Sequence, residues 1–175
     1  MRTLKVLTIA LATSALIFSC QNNNTDSAFA EVTATTDSIQ NMNNMLMDTL
    51  NVVMMMNEEV KTSMDSTNMD STMMATVAAN QVVLEEQKAT LGMVAEMVAN
   101  FQGAVATNDS TEVTPADATA KVEEIKSQQT EVFTTLANVK VELTRIGGEL
   151  KAMKAAKAAT TTEEVAPAAD MTAKK

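Results

Sequence analysis

After roughly the first thirty residues, apolar side chains recur at intervals of three or four, the spacing that lines one face of an α-helix. Three such runs follow one another. The first spans about 31–64 and reads Ile39, Met42, Leu46, Thr49, Val53, Met56 and Val60, widened by Met45, Leu50 and Met54 into a broad apolar face. The second spans about 72–105, with Val77, Asn80, Leu84, Gln87, Leu91, Val94, Val98, Phe101 and Val105 on its seam. Asn80 and Gln87 are polar seam positions, of the kind that fix register at some cost in stability. The third spans about 115–159, and Gln129 alone interrupts the apolar series Val122, Ile125, Val132, Leu136, Val139, Leu143, Ile146, Leu150, Met153. Gly147 and Gly148 fall just off this seam. Together they cost about 2 kcal/mol relative to Ala, which predicts a local bend or fraying there.

The segments between the runs have turn chemistry. Asp65-Ser66-Thr67-Asn68-Met69-Asp70-Ser71-Thr72 is rich in side chains that compete for backbone hydrogen bonds, as are Asn108, Asp109 and Ser110. Thr114-Pro115-Ala116-Asp117 is a strong helix start, with Thr114 as cap and Pro115 in the first helical position. The pattern therefore predicts an all-α protein whose bundle covers 31–159. Its helices, roughly 50–65 Å long, run up-down-up as an elongated antiparallel three-helix bundle of coiled-coil type. The alternative is a long helical hairpin, if 65–72 stays helical; it would expose more apolar surface and oligomerise. Residues 21–30 are small and polar and read as a flexible tether. Residues 160–175, around Pro167, read as a disordered tail. With 4 Gly and 2 Pro in 175 residues, the turns of an all-β domain are lacking.

The N-terminus has a different character. Arg2 and Lys5 precede an apolar run, Val6 to Phe18, too short to span a bilayer comfortably. This is the pattern of a secretory signal peptide, residues 1–19. It ends in Ile17-Phe18-Ser19-Cys20, which resembles the signal of bacterial lipoproteins: an aliphatic residue three before the Cys and a small one just before it. Phe18 stands where that class has a small residue. The resemblance implies that Cys20 is the first mature residue and carries a diacylglycerol thioether and an acylated amine, a strong membrane anchor. Gln21, where inner-membrane retention would use Asp, implies the outer membrane. Without Arg2 and Lys5, 11 basic residues face 22 acidic ones, a net charge of −11. No basic cluster suits nucleic acid, and anionic lipid would not attract the chain, so the lipid is the expected membrane contact.

Composition excludes much catalytic chemistry. There is no His, so no imidazole base, and a single Cys, so no internal disulfide. The carboxylate pairs Glu58-Glu59, Glu85-Glu86, Glu123-Glu124 and Glu163-Glu164 point about 100° apart on a helix and do not converge. Of the 15 Met, ten fall between Met42 and Met74. Thioethers can select Cu(I), and Met54, Met55, Met56, Met69, Met73 and Met74 are the candidate ligands. Against this stands Met as a filler of irregular helix cores, or exposed Met as an incidental scavenger of oxidants. Six of the eight Asp precede Ser or Thr, in triplets that resemble the signal of a general O-glycosylation system for exported bacterial proteins. Ser66, Ser71 and Ser110, in the predicted connections, are the candidate acceptors. Thr49 is disfavoured, because it is placed on a helix seam.

The expected function is a non-enzymatic, lipid-anchored helical protein of the cell envelope, acting as scaffold, spacer or partner-binding rod toward another envelope protein. Apart from the covalent lipid, no cofactor is expected. The alternatives are a Met-rich copper-binding protein and an envelope stress chaperone.

Overall fold

A computed structural model describes residues 25–65, 71–108 and 115–163, all of them helical. The helices are α1 (Thr25–Asp65), α2 (Ser71–Asn108) and α3 (Pro115–Glu163), of 41, 38 and 49 residues. Each packs against the other two, so the protein is an all-α three-helix bundle. Asn57 of α1 meets Val77 and Gln81 of α2, while Gln40 meets Gln102. The partners diverge in number as the chain moves away from Asp65 and Ser71, which makes α1 and α2 antiparallel neighbours. This sets aside the long-hairpin alternative. Along α1 and α3 the partners keep step: Glu31 with Lys126, Val32 with Gln129, Glu59 with Lys154. These two helices are therefore parallel. α1 is the hub, in extensive contact with both others, whereas α2 and α3 touch each other less.

Each helix buries one seven-residue repeat. On α2 and α3 the buried positions are those read from the pattern, from Val77 to Phe101 and from Val122 to Leu150, with Ala118 added at the start of α3. The exceptions are Gln87, half-buried in the middle of the α2 seam, and Val105 and Met153, half-buried at the seam ends. Burial of a Leu or Val side chain stabilises by about 1.5–3 kcal/mol, and this repeat of interlocking side chains supplies the core.

On α1 the seam differs from expectation. Its buried series is Phe29, Val32, Thr36, Ile39, Asn43, Leu46, Leu50, Val53, Asn57 and Val60, an unbroken alternation of steps of three and four. Met42 and Met56 are half-buried beside it and Thr49 is exposed. The polar Asn43 and Asn57 take the central places, because helix geometry and not side-chain polarity decides which row faces the neighbours. The helix also begins earlier than 31. Residues 25–30, read as part of the tether, are helical, since Phe29 and half-buried Ala28 continue the apolar row and gain burial against the bundle. At the other end α3 runs on to Glu163, so 160–163 are helical too.

No fraying interrupts α3 at Gly147-Gly148; the helix continues through both. Gly147 is buried against α1, where an added Cβ would lie 3.7 Å from Val53 Cγ2, an ordinary contact. Packing along the full length of α3 outweighs the local preference of two glycines.

Candidate functional site

The polar groups that the helices bury act as cross-links between them. Near the start of α1, Thr36 Oγ1 donates to the Val32 carbonyl at 2.8 Å. Gln129 Nε2 of α3 donates to Thr36 Oγ1 at 2.9 Å and to the same Val32 carbonyl at 3.0 Å. Both side chains are almost fully buried, so these bonds tie α1 to α3 inside the core. Toward the other end, Asn57 Nδ2 donates to the Val77 carbonyl at 3.3 Å and to Gln81 Oε1 at 3.0 Å, tying α1 to α2. Asn80 Nδ2 donates to Glu149 Oε2 at 3.3 Å, tying α2 to α3. Every pair of helices thus shares at least one polar link. Oδ1 of Asn43 and of Asn57 is buried with no hydrogen-bond partner among the described residues.

Charged pairs flank these links. Lys126 meets Glu31 at 2.8 Å and Lys154 meets Glu59 at 2.7 Å, both between α3 and α1. Lys157 Nζ donates to the Ser63 carbonyl. Arg145 holds Glu142 at 2.8 Å and Glu149 at 2.6 Å. Its guanidinium lies above its ordinary pKa because of the hydrogen bond to Glu142 first and that to Glu149 second. Of the carboxylate pairs, Glu58 turns to Lys61 and Glu59 to Lys154. Glu85, Glu86, Glu123 and Glu124 are exposed. Among the described residues no group of three acidic or Cys side chains could hold a metal ion.

The methionines separate into two kinds. Met42, Met47, Met54, Met56, Met73, Met97 and Met153 are half-buried and pack against the core. Met45, Met55, Met74 and Met93 are exposed. Of the candidate thioether ligands, Met54 and Met56 lie on opposite flanks of the α1 seam with Met55 pointing outward between them, so this trio does not meet at one point. Met73 packs against the core while the adjacent Met74 faces outward. Met69 lies outside the described residues.

Ser71 opens α2 and is exposed. Cys20, Ser66 and Ser110 lie outside the described residues, as do the signal-peptide and tail readings for 1–19 and 164–175. Thr49 is off the seam; its Oγ1 donates to the Met45 carbonyl at 2.8 Å within the helix. The buried amides Asn43 and Asn57 went unread in the sequence, although their signal is there: Phe29, Thr36, Asn43, Leu50 and Asn57 stand seven apart.

No family model matches the chain, and no curated protein or solved structure matches it. No helix among the described residues is long and apolar enough to cross a membrane.

Proposed function

We propose that the protein is a lipid-anchored, non-enzymatic rod of the bacterial cell envelope, held in the outer membrane by acyl chains on Cys20 and acting as a spacer or scaffold for another envelope protein. The observation that supports this most is the unbroken seam. Side chains interlock from Phe29 to Val60 on α1, with matching series on α2 and α3, over about 50 Å at the helical rise. A core of that length on three helices is stiff, and its polar links are spent on alignment, not on a concave pocket. The copper reading has less support, since Met54, Met55 and Met56 diverge. For glycosylation, the exposed Ser71 at the start of α2 is the best-placed acceptor among the described residues.

The decisive experiment is Cys20→Ala expressed in a lipoprotein-processing bacterium with radiolabelled palmitate. The wild-type chain takes up label and fractionates with outer membranes. The variant carries no label and leaves the membrane fraction. A labelled variant would overturn the anchor, and a wild-type chain without label would overturn the whole reading. Intact mass of the protein from its native host, against the same chain from a host without a glycosylation system, tests Ser66, Ser71 and Ser110.

A further inference from the structure

Met45, Met55, Met74 and Met93 are 48, 73, 51 and 59% exposed. They sit on the outer rows of α1 and α2, where the fold asks only for a helix-forming residue that water tolerates. A thioether there contributes nothing to the seam. The chain also lacks Trp, Tyr and His altogether, the other side chains that hypohalous acids attack most readily besides Cys, and no Cys lies among the described residues. Oxidation of Met stops at a sulfoxide that reductases reverse, whereas higher Cys acids are terminal. The bundle therefore offers such oxidants one kind of target, a repairable one, and displays four copies of it where packing does not depend on them.

We propose that these four methionines are a sacrificial, renewable sink for hypohalous acids on the bundle surface. In each event a sulfur–oxygen bond forms and the oxygen–chlorine bond of hypochlorous acid breaks. Sulfur is oxidised by two electrons, chlorine is reduced to chloride, and the proton passes to solvent. The product on an outer row turns its new dipole toward water and leaves the helices packed. The same oxidation at Met42, Met47, Met54 or Met56 puts a sulfoxide beside the seam, between α1 and its neighbours, and loosens the bundle. Exposure sets the order, so the harmless sites react first.

The test titrates the full chain with hypochlorous acid and follows sulfoxide by peptide-resolved mass spectrometry and helicity by circular dichroism. The four outward sites are expected to oxidise several-fold faster than Met42, Met47, Met54 and Met56. Helicity and melting temperature stay constant until they are consumed, and methionine sulfoxide reductase restores the original mass. In a second arm, a Trp-containing reporter protein is mixed in. The M45L/M55L/M74L/M93L variant is expected to melt like wild type and to let reporter oxidation begin about four equivalents earlier. Equal rates at outward and core-flanking sites, loss of helicity with the first equivalents, or unchanged reporter protection by the variant would each overturn the proposal.

Discussion

Leu136 and Glu142 lie six residues apart on α3, and their surroundings predict opposite outcomes for a change of charge. Leu136 is fully buried in the seam. Leu136→Asp places an unpaired carboxylate there, which costs several kcal/mol or melts the packing. Glu142→Lys removes a partly exposed pairing with Arg145, and a loss of about 0.5 kcal/mol is expected. Thermal melts by circular dichroism should show no cooperative transition, or a steeply lowered one, for the first and a nearly unchanged one for the second. Similar melting temperatures would contradict the burial. Asn43 makes a subtler case. Its amide oxygen is buried with no hydrogen-bond partner among the described residues, and such a group costs about 1–3 kcal/mol. Asn43→Leu should raise the urea midpoint by about 1 kcal/mol equivalent. Because a polar seam residue specifies alignment, the variant should also self-associate more in sedimentation. A lowered midpoint would mean that the amide contributes net stability where it is.

At the scale of a helix, the seven-residue repeat explains both what the sequence made legible and what it hid. On α2 and α3 the apolar row at steps of three and four is the row that is buried, so the seam could be read position by position, Asn80 and Gln129 included, although Val82, Met93 and Val141 stand exposed on other rows. On α1 the rows on either side of the seam also carry Met, and a step of three from Ile39, Leu46 and Val53 selects Met42, Thr49 and Met56 where a step of four reaches the buried Asn43, Leu50 and Asn57. Counting by sevens from Leu50 would have chosen correctly. The thioether cluster was misleading for a related reason: Met54, Met55 and Met56 are adjacent in sequence, and adjacency on a helix means divergence. The glycines show the converse, a local preference overruled by packing. Gly92, Gly103 and Gly148 would each meet nothing within 4 Å on gaining a Cβ. Replacing any of them by Ala should stabilise by about 0.5–1 kcal/mol through the backbone entropy of the unfolded chain. Denaturant titration measures this, and destabilisation at Gly148 would point to strain in α3 that the geometry does not show.

For the molecule as a whole, alignment is set in two ways. The apolar seam brings the helices together but would tolerate a slide of one heptad, since its members are much alike. The Thr36–Gln129, Asn57–Gln81 and Asn80–Glu149 links would not, because a slide strands the buried amides of Gln129, Asn57 and Asn80. The ion pairs of Glu31 with Lys126 and Glu59 with Lys154 repeat the same offset along the surface, each contributing at most about 1 kcal/mol. Raising salt should therefore lower stability only slightly and leave the register unchanged. A large salt effect would mean that the exposed pairs, and not the amides, set the register.

Three is an odd number of passes, and that has a mechanical consequence. Thr25 and Glu163 stand at opposite ends of the bundle, because α1 and α3 are parallel. A tension applied between the two ends of the chain runs along the helix axes and strains every heptad layer of the α1–α3 contact in shear at the same moment. An even-numbered bundle would have both ends on one side and would peel open one layer at a time. In an optical trap, the protein held at residues 25 and 163 should resist until a single abrupt rupture. Held instead at residues 25 and 108, the neighbouring open ends of the antiparallel α1 and α2, it should unzip gradually at lower force. A bundle built this way can carry load from one of its ends to the other.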